Sequence, residues 1–402
     1  MPVCGDADAS MKKCNCREKR IIGGHMLRPL FFVRSNRTAL RVRIKSLQIE
    51  NLRIIERMKL FPGKGINFIV GGNGAGKTSI LEAVYLAGRG RTFRHPEAGP
   101  MIRQGTEWTR VVADIEDETS GRRFVLGVQR ERRLLSCRLD GRDLHKRSLL
   151  AEALPVQWIG SQPQLLLSLG PEVRRRFLDM GLFHVEQSYL QLLSDFHRTL
   201  KQRNAALRRG DRAEVVLWDR RFVVSSIELT EQREAFVHEL MRRSTELLMA
   251  WQAGVWICYR FRRGWATASD LSQQLEEKLE TDMRMGYTTV GPQRAELEIS
   301  TAEGGLAEKK LSRGQQKMLV FALNAAMSRL IEARTGRVPI LLVDDLAAEL
   351  DRQNQETLLG ELCDRGGQVF VASIGTDVSE LGLAGTNMFH VEHGRLREGV
   401  NE

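Results

Sequence analysis

The sequence predicts an α/β fold, with a mixed sheet and helices, that is interrupted by an inserted α-helical lobe. Three observations support this prediction. A strand-like run at Ile66–Val70 leads into a glycine cluster and then into an amphipathic helix. Between about residues 160 and 285 the periodicity is helical and glycines are few. After residue 290, strand and helix patterns alternate again.

Local patterns predict the individual elements in order. Alternating polar and apolar residues over 43–49 indicate a half-buried strand, and similar patterns or short apolar runs predict strands at 58–61, 66–70, 110–116, 124–129, 134–139, 340–343 and 368–372. Helical periodicity predicts helices at 78–88, 173–183, 189–207, 214–245, 271–283 and 317–333.

These patterns divide the 402 residues into four segments. Residues 1–41 carry basic residues without a sustained period, and we expect a tail that is disordered or not native. Residues 42–158 form the first part of the α/β lobe, lobe I. Residues 159–287 form the helical lobe II, and residues 288–402 return to lobe I.

Composition limits the classes of protein to consider. A hydrophobic content of 42% and a charged content of 28% are typical of a soluble globular protein, and no apolar run reaches the roughly 18 residues that span a bilayer. The six cysteines lack paired spacings, which favours a reduced, cytoplasmic protein over a disulfide framework or a zinc site.

The positive charge is concentrated in the amino-terminal part of the chain. Residues 1–155 hold 30 Lys and Arg against 16 Asp and Glu, a difference of +14, whereas the whole chain has a net charge of +11. Such a balance favours a polyanionic partner such as nucleic acid. A basic surface that serves only solubility is the alternative.

The glycine cluster matches the phosphate-binding pattern G-x-x-x-x-G-K-[ST]. Glycines let the backbone N–H groups approach phosphate oxygens, and the following helix directs its positive end at the same anion. Lys77 is expected to reach the β and γ phosphates of ATP, and the Thr78 hydroxyl to bind Mg²⁺. The predicted nucleotide-binding residues are Gly71, Gly72, Asn73, Gly74, Ala75, Gly76, Lys77, Thr78 and Ser79.

A second set of candidate residues follows the apolar run at 340–343. Asp344 is placed to bind Mg²⁺, directly or through water. Asp345 is the candidate catalytic base or water-orienting group, and Lys77 is the other predicted catalytic residue. The alternative is a pair of surface acids after a core strand. The phosphate-binding glycine loop (P-loop) earlier in the chain disfavours this alternative.

The string Leu311–Gln316, L-S-R-G-Q-Q, precedes this acidic strand and resembles the signature motif of ABC ATPases. Glu349, Leu350 and Asp351 resemble the D-loop of the same class. The resemblance implies an ABC-type head in which ATP is sandwiched between two copies. Contacts to the nucleotide from the second copy would then come from Ser312, Gly314, Gln315 and Asp351.

More of the chain resembles the RecF family. The similar strings lie at 44–53, 73–83, 88–94, 174–179, 183–184, 200–204, 289–294 and 388–394. The resemblance implies an ATP-dependent homodimer that binds single-stranded and gapped DNA, with a weak DNA-stimulated ATPase. It also implies RecR, RecO and RecA as partners. The implied roles are recombination, replication, DNA-damage repair and the SOS response, and the implied location is the bacterial cytoplasm, at the nucleoid.

Several positions depart from that family pattern. Gln293 replaces an expected histidine, Ile54 replaces an asparagine, and the string at 161–164 makes a Q-loop role for Gln162 uncertain. Ser373 lies near a switch position that transporters fill with histidine, and it receives no catalytic role. Since family members usually start at the first strand, we expect translation to begin at Val42.

Three other functions remain as alternatives. An SMC-like structural head would be favoured by a coiled coil, but the helical insert lacks a sustained heptad pattern. A transporter ATPase subunit is disfavoured because Ser312 follows Lys77 by 235 positions, a much longer gap than in that class. A nuclease of the overcoming-lysogenization family would need further metal-binding acids.

No helix-turn-helix or zinc-finger pattern is present, so we expect DNA to be bound through its phosphates. The candidate contacts are Arg89, Arg91, Arg94, Arg103, Arg122, Arg123, Arg174, Arg175, Arg176 and Lys201.

Overall fold

The fold is taken from a computed structural model that describes residues 40–94, 101–160, 164–186, 188–266, 270–345, 350–364, 366–373 and 386–397. Almost all of the predicted tail at 1–41 lies outside the described residues, as do Gln162 and Glu349.

Fifteen strands are found in the described part of the chain: β1 (Leu40–Leu52), β2 (Ile55–Leu60), β3 (Ile66–Val70), β4 (Trp108–Asp117), β5 (Arg123–Glu131), β6 (Leu135–Leu139), β7 (Arg142–Asp143), β8 (Val156–Ile159), β9 (Ile257–Arg262), β10 (Glu296–Thr301), β11 (Arg337–Val338), β12 (Ile340–Asp344), β13 (Val369–Ser373), β14 (Asn387–Glu392) and β15 (Arg395–Leu396).

The same residues contain ten α-helices: α1 (Lys77–Arg89), α2 (Ser148–Ala153), α3 (Leu165–Ser168), α4 (Pro171–Val185), α5 (Tyr189–Arg209), α6 (Arg212–Ala250), α7 (Leu271–Met285), α8 (Ala307–Lys310), α9 (Arg313–Thr335) and α10 (Arg352–Asp364).

The central sheet has the strand order β15-β14-β3-β13-β12-β8. Its strands are parallel except for β15, which pairs antiparallel with β14. The carboxyl ends of β3, β13, β12 and β8 therefore meet at one edge of the sheet. Ligands of open parallel sheets bind at this edge, because loops and helix N-termini converge there.

A second sheet, largely antiparallel, has the order β11-β1-β4-β5-β6-β7, with β2 paired to β1. Helix α1 packs between the two sheets and is buried along almost its whole length. Its Gly88 faces the start of β8, where an added Cβ would lie 2.6 Å from the Leu154 carbonyl oxygen. Lobe I is thus a three-layer core around the helix that follows the glycine cluster.

Helix α9 belongs to two hydrophobic cores at once. On one side Met318 and Phe321 pack with α10 on the outer face of the parallel sheet. On the other side Leu319 and Leu323 pack with α4, α6 and the rest of lobe II. A helix that is apolar all round is expected to be buried between layers, and α9 joins the two lobes in this way.

The predicted elements are found close to their predicted bounds, and the α/β fold class is confirmed. The region predicted as helical also contains a strand, β9, that pairs with β10. Leu297 and Ile299 of β10 pack in the core of lobe II, although the sequence assigned them to lobe I. Because β9 is short and follows a 39-residue helix, helical periodicity obscured it. The lobe boundaries stay predictions.

Lobe II has an ionic cluster at its centre. Arg203 is fully buried and pairs with Asp219 at 2.6 Å and with the buried Asp282 at 2.8 Å. Its guanidinium also donates to the Thr288 hydroxyl at 2.8 Å, and Asn204 accepts from the backbone N–H of the same threonine. Since a buried charge is tolerated only when paired, this cluster fixes α5, α6, α7 and the following turn relative to one another.

Arg89 at the end of α1 contacts His184 at the end of α4, which links lobe I to lobe II. The Nη1 atom of Arg89 lies 2.8 Å from Nε2 of His184; Arg89 is buried and His184 is half-buried. Arginine can only donate, so Nε2 accepts and the imidazole is neutral. Burial, and secondarily the charge of Arg89, lower the pKa of His184 to about 3.

This neutral histidine makes stability dependent on pH. The unfolded chain takes up the His184 proton below about pH 6.5, whereas the folded chain resists it until about pH 3. The contribution is therefore complete above pH 6.5 and is lost as the pH falls. The test variant is His184→Gln, which keeps an acceptor near the Nε2 position. When the pH falls from about 6.5 to about 5, we expect the free energy of unfolding of wild type to fall by about 1.5 kcal/mol more than that of the variant.

Urea unfolding at the two pH values measures this difference. The matched control is His238→Gln, because His238 is exposed and only its Nδ1 contacts Tyr259. Equal pH dependence of wild type and His184→Gln would show that the contact does not hold the imidazole neutral.

Candidate nucleotide-binding site

The glycine cluster lies at the carboxyl end of β3 and runs directly into α1, as the sequence predicts. Gly74 and Gly76 have φ values of 77° and 113°, a conformation that a side chain disfavours. Gly71 has no room for a Cβ atom, which would lie 2.3 Å from the Val391 carbonyl oxygen. The loop shape therefore depends on glycine at these three positions.

The carboxy-terminal hairpin supports this loop from behind. The Gly394 N–H, in the turn between β14 and β15, donates to the Ala75 carbonyl at 2.8 Å. A Cβ on Gly394 would lie 2.7 Å from the Ile54 carbonyl oxygen, so the turn also touches the connection between β1 and β2. The string at 388–394, which the sequence offered only as a family resemblance, thus has a structural role beside the loop.

Lys77 folds back over the loop that precedes it. Its Nζ donates to the carbonyl oxygens of Gly71 at 2.7 Å and Gly72 at 2.9 Å. Burial lowers the pKa of Lys77, and the charges of Asp344 and Asp345 oppose this shift. The ammonium group is therefore held at the loop, where an anionic phosphate group would offer a better partner than two carbonyl groups.

Thr78 and Asp344 come together although 266 positions separate them. The Thr78 hydroxyl donates to Oδ1 of Asp344 at 3.3 Å, because β3 and β12 flank β13 and end at the same edge. Burial raises the pKa of Asp344, whereas the Thr78 hydrogen bond and the charge of Arg94 lower it. A half-buried carboxylate beside a hydroxyl is the oxygen-ligand chemistry that suits Mg²⁺.

No group of three or more His, Cys, Asp or Glu that could hold a metal occurs among the residues that the structure describes. Thr78 and Asp344 are the described side chains that would hold Mg²⁺.

Asp345 has a conformation that is rare for a residue with a side chain, with a φ of 58°. Its N–H donates to the Ala372 carbonyl at 3.0 Å, and its carbonyl accepts from Nζ of Lys317 at 3.0 Å. These two bonds hold the residue from β13 and from α9. Lys317 is 1% exposed, and sequence reasoning missed it. Its signal was an ionisable residue within the apolar stretch of a predicted helix.

Ser312 forms the N-cap of α9. Its hydroxyl accepts from the Gln315 N–H at 3.2 Å, and the Gln315 side chain accepts from the Ser312 N–H at 3.0 Å, which completes a capping box. Ser312 is exposed, and Gly314 and Gln315 are half-buried. No hydrogen bond or ion pair joins these three residues to the glycine loop within the described part of the chain.

The remaining predicted residues have the following places. Asp351 is exposed at the start of α10, where Oδ1 accepts from the Asn354 N–H at 2.8 Å. Ser373 is buried at the end of β13. Asn73 is exposed at the tip of the loop, and Ser79 is buried in the first turn of α1.

A second contact that sequence reasoning missed holds the turn after β1 against α1. Glu82 of α1 is completely buried and accepts from Arg53 at 2.9 Å and from the Thr92 hydroxyl. Asn51 and Arg53 have positive φ values of 54° and 50°. The ion pair holds this turn against α1 and explains why the turn and the helix carry polar residues that point inward.

The chain matches the family model "RecF/RecN/SMC N terminal domain" over residues 43–397. It is 37% identical over 353 residues to the DNA replication and repair protein RecF of Edwardsiella ictaluri, covering 87% of this chain and 98% of that protein. Its identity to the RecF protein of Shewanella oneidensis is 38% over 359 residues, with the same coverage. The chain belongs to the RecF family. The resemblance read from the sequence is confirmed.

Solved structures agree on the fold. A RecF–ATP structure of the recombination mediator from the RecFOR pathway has a TM-score of 0.80 at 20% identity, covering 91% of this chain and all of that one. An Smc head domain from Pyrococcus furiosus has a TM-score of 0.53 at 15% identity, covering 89% and 95% of the two chains. The RecF architecture is therefore the better match, and the SMC-like head is the more distant one. None of the helices in the described ranges is long and apolar enough to cross a membrane.

The Lys317 contact gives a test specific to this RecF-family chain. Replacing Lys317 with methionine removes the donor to the Asp345 carbonyl but keeps the volume of a buried side chain. We expect ATP affinity to change little and ATP turnover to fall about tenfold to a hundredfold, because Asp345, the predicted water-orienting group, would be displaced.

Fluorescent-nucleotide titration and phosphate release measure the two quantities separately. Lys309→Met is the control, since Lys309 is an exposed lysine of the nearby helix α8. A parallel loss of affinity and turnover would assign Lys317 to nucleotide binding instead of to the position of Asp345.

Proposed function

We propose that this chain is an ATP-driven DNA clamp of recombinational repair. Two copies close on ATP, and the closed dimer binds DNA at single-strand gaps and helps to load the recombinase RecA together with RecO and RecR. Roles in replication and the SOS response, and a place at the bacterial nucleoid, follow from the same proposal. Its support is membership of the RecF family and the arrangement of the site.

One observation carries the dimer proposal. Lys77, Thr78, Asp344 and Asp345 converge at one edge of the sheet, whereas the capped turn at Ser312 faces solvent without contacting them. A helix N-terminus with free N–H groups attracts a phosphate. The exposed start of α9 can therefore supply the other half of a nucleotide site to a second copy.

Each residue of the site has a defined task in this proposal. The loop from Gly71 to Ser79 surrounds the phosphates with backbone N–H groups, and Lys77 turns from the loop carbonyls to the phosphates. Thr78 and Asp344 would hold Mg²⁺, which neutralises developing negative charge when it is bound. In the partner copy, Ser312, Gly314 and Gln315 close over the terminal phosphate and Asp351 approaches across the interface.

Asp345 is the proposed catalytic residue for a weak ATPase. Its backbone is held by β13 and α9, so its carboxylate can orient a water molecule for attack. Slow hydrolysis then sets how long the clamp stays closed. ATP stabilises the dimer by the difference in its affinity for the closed and open states.

The arginines predicted to contact DNA separate into two groups. Arg174 pairs with Glu296 at 2.8 Å and donates to three backbone carbonyls, Arg175 donates to the Ala295 carbonyl, and Arg89 is buried against His184. These three hold lobe II in place, which makes them the weaker candidates for phosphate contact. Arg91 and Arg94 are exposed and remain the stronger candidates for phosphate contact.

Light scattering with and without ATP and gapped DNA tests the clamp. We expect Asp345→Asn to form a long-lived ATP dimer and Lys77→Ala to stay monomeric. Ser312→Asp is expected to bind ATP but not to dimerise, since aspartate keeps the N-cap and repels phosphate. A wild-type chain that is monomeric under all conditions would refute the clamp.

A mixing experiment tests whether the site is shared between copies. A mixed dimer of Lys77→Ala and Ser312→Asp contains one intact site. Its glycine loop comes from the Ser312→Asp copy, and its capped turn at Ser312 comes from the Lys77→Ala copy. We expect the mixture to recover dimerisation and up to about half of the wild-type turnover, although each variant alone is inactive. No recovery would indicate that each copy completes its own site.

A further inference from the structure

A cleft of about 1050 Å³ lies beside the nucleotide-binding edge, between the two lobes. The segment 90–94 forms one wall, β8 forms the base, and α3 and α4 form the opposite wall. The volume is at the upper end of the roughly 300–1,000 Å³ that small-molecule sites occupy. The cleft is open to solvent, so it can admit a segment of a larger ligand.

The charged side chains that line this cleft have one sign. Five arginines contribute to its walls, and no Asp, Glu or Lys does so in the part of the chain that the structure describes: Arg91, Arg94, Arg130, Arg147 and Arg176. Arg176 pairs with Glu172, but the other four form no ion pair with any described residue. Like charges that converge repel one another until an anion neutralises them, so these arginines favour an anionic ligand.

The wall formed by α3 and α4 is apolar apart from Arg176. Its other lining residues are leucines, a valine, a phenylalanine and a methionine, and Leu165 and Leu169 are 38% and 44% exposed. Behind the cationic wall, Phe93 stacks on Trp158 with centroids 4.2 Å apart. This aromatic pair forms a flat apolar surface at the base of the cleft.

A single strand of nucleic acid combines the two chemistries that these walls require. Each nucleotide carries one phosphate for a guanidinium and one flat base for an apolar surface. Arginine binds phosphate through a planar fork of donors, and the absence of lysine from the lining favours such recognition. A double helix hides its bases inside, so it would leave the apolar wall uncovered.

The cleft also shares structural elements with the nucleotide site. Arg94 lines the cleft, and it lies close enough to Asp344 for its charge to act on that carboxylate. Val320 and Asn324 of α9 line the cleft as well, and this helix starts at the capped turn of Ser312. A ligand in the cleft would therefore contact two elements that the ATP site uses.

We propose that the cleft between the lobes binds a single strand of nucleic acid, with its phosphates on the four arginines that form no ion pair within the described ranges and its bases against the leucines of α3 and α4. This inference rests on the proposed DNA-binding function and assigns the single-stranded part of the DNA to one place on the molecule.

The test compares two double variants with the same change of charge. Arg91→Gln/Arg147→Gln removes two arginines from the cleft, whereas Arg132→Gln/Arg133→Gln removes two exposed arginines that do not line it. Anisotropy of labelled oligo(dT), at several salt concentrations and with ATP present, gives the affinity and its salt dependence. A labelled duplex of equal length is the second probe.

For the cleft variant we expect oligo(dT) affinity to fall about tenfold or more. The slope of the logarithm of the binding constant against the logarithm of the salt concentration should decrease in magnitude by about 1.4, which corresponds to two lost phosphate contacts on a single strand. The control variant keeps both values, and both variants keep wild-type affinity for the duplex. Matching melting temperatures and ATP affinities establish that the variants are folded.

Oligo(dT) affinity in the cleft variant equal to that of the control would overturn the cleft assignment while leaving the clamp intact. An equal loss of oligo(dT) and duplex binding would overturn it as well, by indicating a general DNA surface. Displacement of oligo(dT) from wild type by polyglutamate at matched charge would assign the cleft to acidic protein segments. A wild-type chain that binds neither probe would instead refute the proposed DNA function.

Discussion

The burial of α1 between two sheets is the constraint on which the rest of the molecule depends. The helix has no solvent-facing side, so its position cannot adjust to a ligand without disturbing both sheets. Its N-terminus therefore lies at a fixed place at the carboxyl edge of the parallel sheet. The contacts of Glu82 with Arg53 and of Arg89 with His184 extend this fixed position to the first hairpin and to lobe II.

Helix α9 provides the second axis of the structure. It begins at the capped turn of Ser312, passes Lys317 beside Asp345, and then packs between the parallel sheet and lobe II. One rigid element thus joins the surface that is proposed to meet a second copy, the backbone of the candidate base, and the cleft between the lobes. A displacement at its exposed start would be felt at each of these places, since a buried helix moves as a unit.

The sequence was informative wherever one periodic pattern dominated. The glycine loop, β3, α1, the strand before Asp344 and the long helices of lobe II were all predicted, because backbone geometry and apolar spacing dictate them locally. Thr78 and Asp344 were assigned to the same ion from their motifs, and the parallel pairing of β3, β13 and β12 brings them together. Lys317, Arg53 and Glu82 were missed as contacts, since each is paired with a residue far along the chain. Periodicity carries no information about such pairs, nor about the pairing of β9 with β10.

The order of strands in the parallel sheet has a consequence for synthesis of the protein. The strand that delivers the glycine loop, β3, is flanked by β13 and β14, both from the carboxy-terminal part of the chain. During translation the loop emerges early, but its two neighbouring strands and the Gly394 turn emerge only after the whole of lobe II. A nascent chain therefore carries the glycine loop without the sheet that shapes it. Nucleotide binding, and any closure on a second copy, must wait until both lobes have been synthesised.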